Sequence, residues 1–373
     1  MGRAWASGVR LLPVLVVLGA SSRAHAVDYT FSGSGALDYR GFVGGATDRV
    51  DPNVIGINSL ALELSHKIVV DVTERIGVTL KICFGCHGIE VDQGYAELHG
   101  SDFWNLRIGR FNVPIGEFNV RHDPANYTTP SKPLPYAMGD MLYYTRDDFN
   151  LGVVPTPYSD DGLEVFGSAW IAERLQLDYT VFAVRGFAGQ NDLDFAASRR
   201  FTDNNQLPSV GARMVATLGP VSLGGSVAGG TYDNQDNLAY YIFGGELYAR
   251  VRPFVLRGEY IVRRTDIDRN APGYQFVIKE PYFLKIGYYA QIDWEINEWL
   301  SLIYRFDGLR REGIPLPGSR IDQEVAQILR STAAVALRPW GGVLLKADLE
   351  WWAFSGVPFP DQPVVRVAVI YSY

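Results

Sequence analysis

The chain has 373 residues, 47% of them hydrophobic, with 39 glycines, 21 tyrosines, 19 phenylalanines, 8 tryptophans and a formal net charge of −7. An acidic balance disfavours nucleic acid as a partner, and a glycine-rich, aromatic composition suits strands and turns better than a helical core. No Pro/Ser linker or low-complexity tract divides the sequence, which points to one large domain.

Residues 1–26 carry the marks of an export signal. Arg3 and Arg10 precede the apolar run LLPVLVVL, and Ala24-His25-Ala26 places small residues where a signal peptidase reads. The expectation is an exported mature chain, 27–373, with a charge of about −10 once Arg3, Arg10 and Arg23 have left. The apolar run is too short to cross a bilayer as a helix, which takes about 20 apolar residues, and no later stretch is longer.

From residue 27 onward the chain alternates apolar and polar residues, as strands must when successive side chains point to opposite faces. About sixteen such segments begin near residues 28, 57, 77, 89, 104, 162, 175, 209, 220, 239, 254, 282, 298, 328, 343 and 363. Near the end, Val365, Val367, Val369, Tyr371 and Tyr373 share one parity against Arg366, Ala368, Ile370 and Ser372. Upstream, Leu300, Leu302, Tyr304 and Phe306 oppose Ser301, Arg305 and Asp307, and Leu256, Tyr260 and Val262 oppose Arg257, Glu259 and Arg263. Short connections alternate with long ones, the longest being 112–161. An even number of antiparallel strands, tight turns at one end, long loops at the other and charged residues on one parity predict an all-β transmembrane antiparallel barrel of the bacterial outer membrane, its surface in lipid and its lumen watery. A soluble β-sandwich is the alternative that alternates in the same way. The aromatic Tyr373 resembles the terminal signal of bacterial outer-membrane proteins.

The stretch LRIGRFNVPIGE, 106–117, resembles the phosphate-selective porin family, in which a Gly-(Arg/Gln)-Phe element precedes Pro-x-Gly. That resemblance implies a barrel whose long loop after the fifth strand folds toward the lumen. It does not imply anion selectivity here, because the loop carries Arg121, Lys132 and Arg146 together with Asp123, Asp140, Asp147 and Asp148.

The only two cysteines lie in KICFGCHG. Cys83-Phe84-Gly85-Cys86-His87 is a Cys-x-x-Cys-His pattern, which in an exported protein reads as c-type haem attachment, with Cys83 and Cys86 as thioether anchors and His87 as the proximal iron ligand. A disulfide between Cys83 and Cys86 is the alternative, although a ring this small removes little chain entropy. A zinc site lacks further ligands nearby. Parity puts Cys83 with Thr79 and Lys81 on the lumen side, part-way up the pore or near its long-loop mouth. The candidates for a second iron ligand are then His122 and Met138 in the long loop, with Met141 close in sequence. His99 belongs to a turn at the opposite end, and His66 shares parity with the lipid-facing leucines.

A porin barrel with one c-type haem is similar to the fused cytochrome and porin proteins of outer membranes, except that there the haem segment precedes the barrel. The functional expectation is an outer-membrane barrel with lumen-facing haem c, passing electrons and requiring a periplasmic redox protein. The alternative is a passive porin for small solutes or anions in which Cys83 and Cys86 form a disulfide. No nucleophile triad, phosphate loop or paired carboxylate motif stands out, so catalysis beyond metal oxidation by such a haem is not expected.

Overall fold

The computed structural model describes residues 28–43, 59–85, 88–137, 152–155, 157–190, 193–198, 200–268, 276–277, 281–312, 314–315, 325–356 and 361–373. Within these, sixteen antiparallel strands close into one barrel. They are β1 (Asp28–Phe42), β2 (Ser59–Thr73), β3 (Ile76–Gly85), β4 (Gly88–Ser101), β5 (Trp104–Asn112), β6 (Ser159–Ala172), β7 (Leu175–Val184) and β8 (Ser209–Leu218). The second half comprises β9 (Val221–Thr231), β10 (Ala239–Val251), β11 (Phe254–Asp266), β12 (Tyr282–Glu295), β13 (Leu300–Glu312), β14 (Val325–Trp340), β15 (Val343–Ser355) and β16 (Gln362–Ser372). Each strand pairs with its sequence neighbours, and β1 closes on β16, with Ser34 opposite Ser372 and Phe42 opposite Val364. Closure leaves no open edge, so every strand can satisfy its backbone without water. No helix among the described residues is long and apolar enough to cross a membrane, a test that does not bear on strands.

The period-two pattern explains the wall. In β3, Val78 and Leu80 are exposed on the outer surface while Thr79 and Lys81 are buried inside. In β16, Val367, Val369 and Tyr371 face outward while Arg366, Ala368 and Ile370 face inward. The outer surface is apolar, with Trp104, Trp170, Trp294, Trp299 and Trp340 exposed at the tight-turn end, as hydrocarbon flanked by an interface demands. His66 lies on this surface as its parity requires, its ring stacked on Phe31 and its Nδ1 in contact with the Tyr373 hydroxyl.

In one respect the lumen differs from the watery interior that charged inner-parity residues suggest. At the long-loop end part of it is filled. Val153, Val154, Tyr158, Phe187, Leu193 and Phe195 from two connecting segments pack against inward-facing Phe182, Val184, Tyr240, Ile242 and Ile261, all buried. Phe187 stacks between Tyr158 and Tyr240 at centroid separations of 5.0 and 4.5 Å. These strands carry apolar residues inward near their long-loop ends because loops, not water, meet them there.

Candidate functional site

The segment following β5 enters the barrel instead of projecting from it. Two glycines of the RFNVPIGE region set its course. Gly109 (φ 128°) and Gly116 (φ 72°) both have positive φ. A Cβ at Gly109 would meet the backbone of Gly94 and Tyr95, and one at Gly116 would run into the Glu259 carboxylate and the Tyr136 hydroxyl. Only glycine fits these backbones without strain. A short helix, Glu117–Val120, follows. The neck is pinned by Asn119, whose Nδ2 donates to the carbonyls of Val113 (2.8 Å) and Tyr158 (3.0 Å), while Tyr158 N–H donates to Asn119 Oδ1 (2.9 Å).

From there the segment 117–137 lies along the inner wall from β11 to β15, held by charged inward-facing groups. Glu259 accepts from Phe118 N–H (2.8 Å), from Tyr289 Oη (2.8 Å) and from Tyr136 Oη. Asp307 accepts from Leu134 N–H (3.1 Å). Arg305 donates through Nη1 to the Ser131 carbonyl (2.9 Å), and Arg330 through Nη2 to the Lys132 carbonyl (2.6 Å). Lys346 Nζ donates to the Pro124 carbonyl (2.7 Å), with its ammonium 4.0 Å from the Tyr127 ring centroid. Beneath the loop Arg305, Arg330, Asp307 and Glu350 are fully buried and mutually paired: Arg305–Asp307 at 2.9 Å, Arg330–Asp307 at 2.6 Å and Arg330–Glu350 at 3.1 Å. Charges out of water must be paired and hydrogen-bonded, and the loop's backbone carbonyls and amides supply the remaining bonds.

Across the lumen, β4 to β10 carry a different arrangement. Arg107 bonds Glu97 (2.8 Å) and Glu164 (2.5 Å) and lies over Tyr95 and Phe166, and Arg213 Nε bonds Glu246 (3.1 Å). These arginines remain partly exposed, 21% and 18%, with their carboxylates set behind them. This wall keeps access to water. The arrangement is a polar passage bounded on one side by a docked loop.

The sequence-predicted site residues fall as follows. Cys83 sits in β3, half-buried and opposite Ser65, with Asp92, Lys81, Glu63 and Asp123 as the charged groups around it, so its side chain is on the lumen face as parity predicted. β3 and β4 meet in a hairpin with Gly85 opposite Gly88, while the β1–β2 ladder continues to Arg40 opposite Ser59. Cys83 therefore lies below the barrel rim. Cys86, His87, Met138 and Met141 lie outside the described residues. His122 is buried on the same side of the lumen, near the group that links it to Cys83's neighbourhood: its Nε2 is 3.4 Å from Asp92 Oδ2, and Asp92 also pairs with Lys81 at 2.7 Å. Its Nδ1 is 3.1 Å from the Asn119 carbonyl and 3.3 Å from Asn112 Nδ2. Both ring nitrogens thus face protein partners. His99 stands at the tight-turn end of β4 beside Glu97.

Inward-facing Glu259, Arg305 and Asp307 are visible in the alternation as lumen residues, but their work as loop anchors is not. The available signal was a formal charge on the inner parity of an otherwise apolar strand. Asp92 is not legible in the alternation, because it is the extra residue of β4 at a register shift, between Gln93 opposite Lys81 and Val91 opposite Ile82.

No family model matches the sequence. No curated protein matches it either. Solved structures do. A loop L8 deletion mutant of OmpT, an outer membrane protein of Vibrio cholerae, superposes with a TM-score of 0.57 at 8% identity, covering 94% of this chain and 100% of that one. The fold is that of a porin barrel. The outer membrane channel DcaP of Acinetobacter baumannii gives 0.56 at 11% identity over 93% of this chain and 97% of its own. OmpF of Salmonella typhi, in complex with daunomycin, gives 0.56 at 10% identity over 92% and 97%. The porin-like barrel thus persists at identities where side chains are free to differ, so the chemistry of this lumen is read from its own residues.

Proposed function

We propose that the protein is a passive outer-membrane channel for small polar solutes or ions, with its aperture set by the segment 113–137. The observation that carries this is the combination of a closed barrel with an apolar exterior and a loop latched inside its polar lumen, along one wall, by Glu259, Arg305, Asp307 and Arg330. A latched loop narrows the pore without closing the β4–β10 wall, where Arg107 and Arg213 stay accessible. In this orientation the tight turns face the periplasm and the long loops face outward, the usual disposition of such barrels. The test is conductance of the purified chain in a planar bilayer: stepwise ohmic increments support the channel, and a silent bilayer with folded protein present speaks against it.

A second reading, a lumen-facing haem c, is favoured by the Cys-x-x-Cys-His sequence and by the inward direction of Cys83. The described residues fit such a group poorly. Cys83, Phe84 and Gly85 are extended strand, which sends alternate side chains to opposite faces, whereas a helical turn brings residues three apart onto one side. His122 already has partners at both nitrogens. If bound, the group would supply one-electron chemistry, and the passage of electrons would require a periplasmic redox partner. A Soret band that survives denaturation in acid-acetone and is lost in Cys83→Ala supports this reading. A colourless protein excludes it and leaves the channel, with the proposed Cys83–Cys86 disulfide then read from a mass two hydrogens below that of the dithiol.

A further inference from the structure

At the tight-turn end, beneath the docked loop, lies a chamber of about 570 Å³. Its roof is the loop stretch 125–128. Its floor and sides are the ends of β10, β12 and β14, the turns after β10 and β12 and the start of β11, which contribute Arg250, Arg252, Arg257, Glu295, Glu298 and Arg338. Two of these cations are neutralised locally. Arg250 Nη2 is 2.9 and 3.0 Å from the two oxygens of Glu295. Arg257 Nη1 is 2.5 Å from Asp293 Oδ2. That aspartate is nearly fully buried and also accepts from Thr128 Oγ1 (3.2 Å) and Gln291 Nε2 (2.7 Å), whereas the Arg257 side chain is 24% exposed to the chamber. Arg252 and Arg338 make no ion pair with a carboxylate among the described residues; Arg338 Nη1 reaches only the Ser301 hydroxyl, at 3.4 Å. Against them stands the single unpaired acid Glu298 at the turn.

We propose that this chamber is a binding subsite for small organic carboxylates, held between Arg252 and Arg338 with the free edge of Arg257 behind them. A planar guanidinium matches a carboxylate with two parallel N–H···O bonds, and Arg252 and Arg338, both exposed, are open to a solute entering the chamber. The volume admits a polyhydroxylated acid of six carbons and excludes a folded polymer. The remaining wall, Asn126, Asn297, Ser301 and Thr128, offers hydrogen bonds to a hydroxylated body. The inference rests on the channel reading and extends it by naming the class of solute retained on the periplasmic side of the loop.

The experiment titrates the purified full chain calorimetrically with gluconate and with glucose, which are similar in size and hydroxylation but differ in the carboxylate. Gluconate binds at least about tenfold more tightly than glucose, and R252Q/R338Q erases about that factor. Arg310→Gln, on the outer surface, leaves gluconate binding as in the parent, and Glu298→Gln, which removes the opposing charge from the chamber, tightens it. Equal binding of the two solutes, an unaffected double variant, or loss on Glu298→Gln overturns the assignment, the last because it would place a cation beside that carboxylate. Conductance of the same preparation is recorded separately, so a failed channel reading and a failed subsite are told apart.

Discussion

The two halves of the lumen use the same residue types to opposite ends. On the β11–β15 side, Arg305, Arg330, Asp307 and Glu350 are out of water and covered by the loop. On the β4–β10 side, Arg107 and Arg213 are paired just as well but stay partly exposed. Pairing alone therefore does not decide whether a charged residue holds structure or faces a solute. What decides is whether backbone groups of another segment complete its hydrogen bonds. The carbonyls of Ser131 and Lys132 and the amides of Phe118 and Leu134 do so on one side only.

This contrast is sharpest at Asp307. Asp307→Ala leaves two buried guanidiniums short of their shared carboxylate and frees the Leu134 amide, a loss of about 3–5 kcal/mol. The thermal transition of the folded barrel falls and conductance rises as the loop detaches; an unchanged transition would mean the network is not buried. Next comes Gly116→Ala, which puts a methyl group into Glu259 and Tyr136 at a backbone conformation costing about 1–3 kcal/mol for any other residue. It displaces the start of the loop and increases single-channel current noise. Glu259→Gln keeps the shape but weakens three bonds, at about 1–2 kcal/mol, and yields intermittent conductance steps between two levels; a single wild-type level would place the latch elsewhere.

The smallest effect belongs to the exposed side of the loop. Arg121 pairs with Glu117 at 3.1 Å but is 63% exposed, so Arg121→Gln alters stability by less than about 1 kcal/mol. If instead it matched the loss seen with Asp307→Ala, exposure would not be what separates the two regions.

Much of the barrel is legible in the sequence. Strand starts near 57, 162, 298 and 328 shift only to 59, 159, 300 and 325, and those near 28, 104, 175 and 343 coincide with observed ends, because a period of two survives in sequence whatever the partner strand. The lumen direction of Cys83 and the outward direction of His66 follow from that same period. The loop's bonds did not. Glu259 is 123 residues from Tyr136, and Arg330 is 198 from Lys132, so no local pattern links them. His122 is a candidate iron ligand in the sequence, and only the fold shows Asp92 and Asn119 at its nitrogens. The dry packing of Phe187 and Tyr240 was hidden for the same reason, since an inward aromatic on a strand reads identically whether water or a loop meets it.

Segment 113–137 is proposed to set the aperture through its latch to the β11–β15 wall. Single-channel conductance of Asp307→Ala against the parent chain, in matched bilayers and salt, tests this most directly. A larger conductance in the variant with the barrel still folded is the predicted result; identical conductance in a folded variant would show that the constriction lies elsewhere.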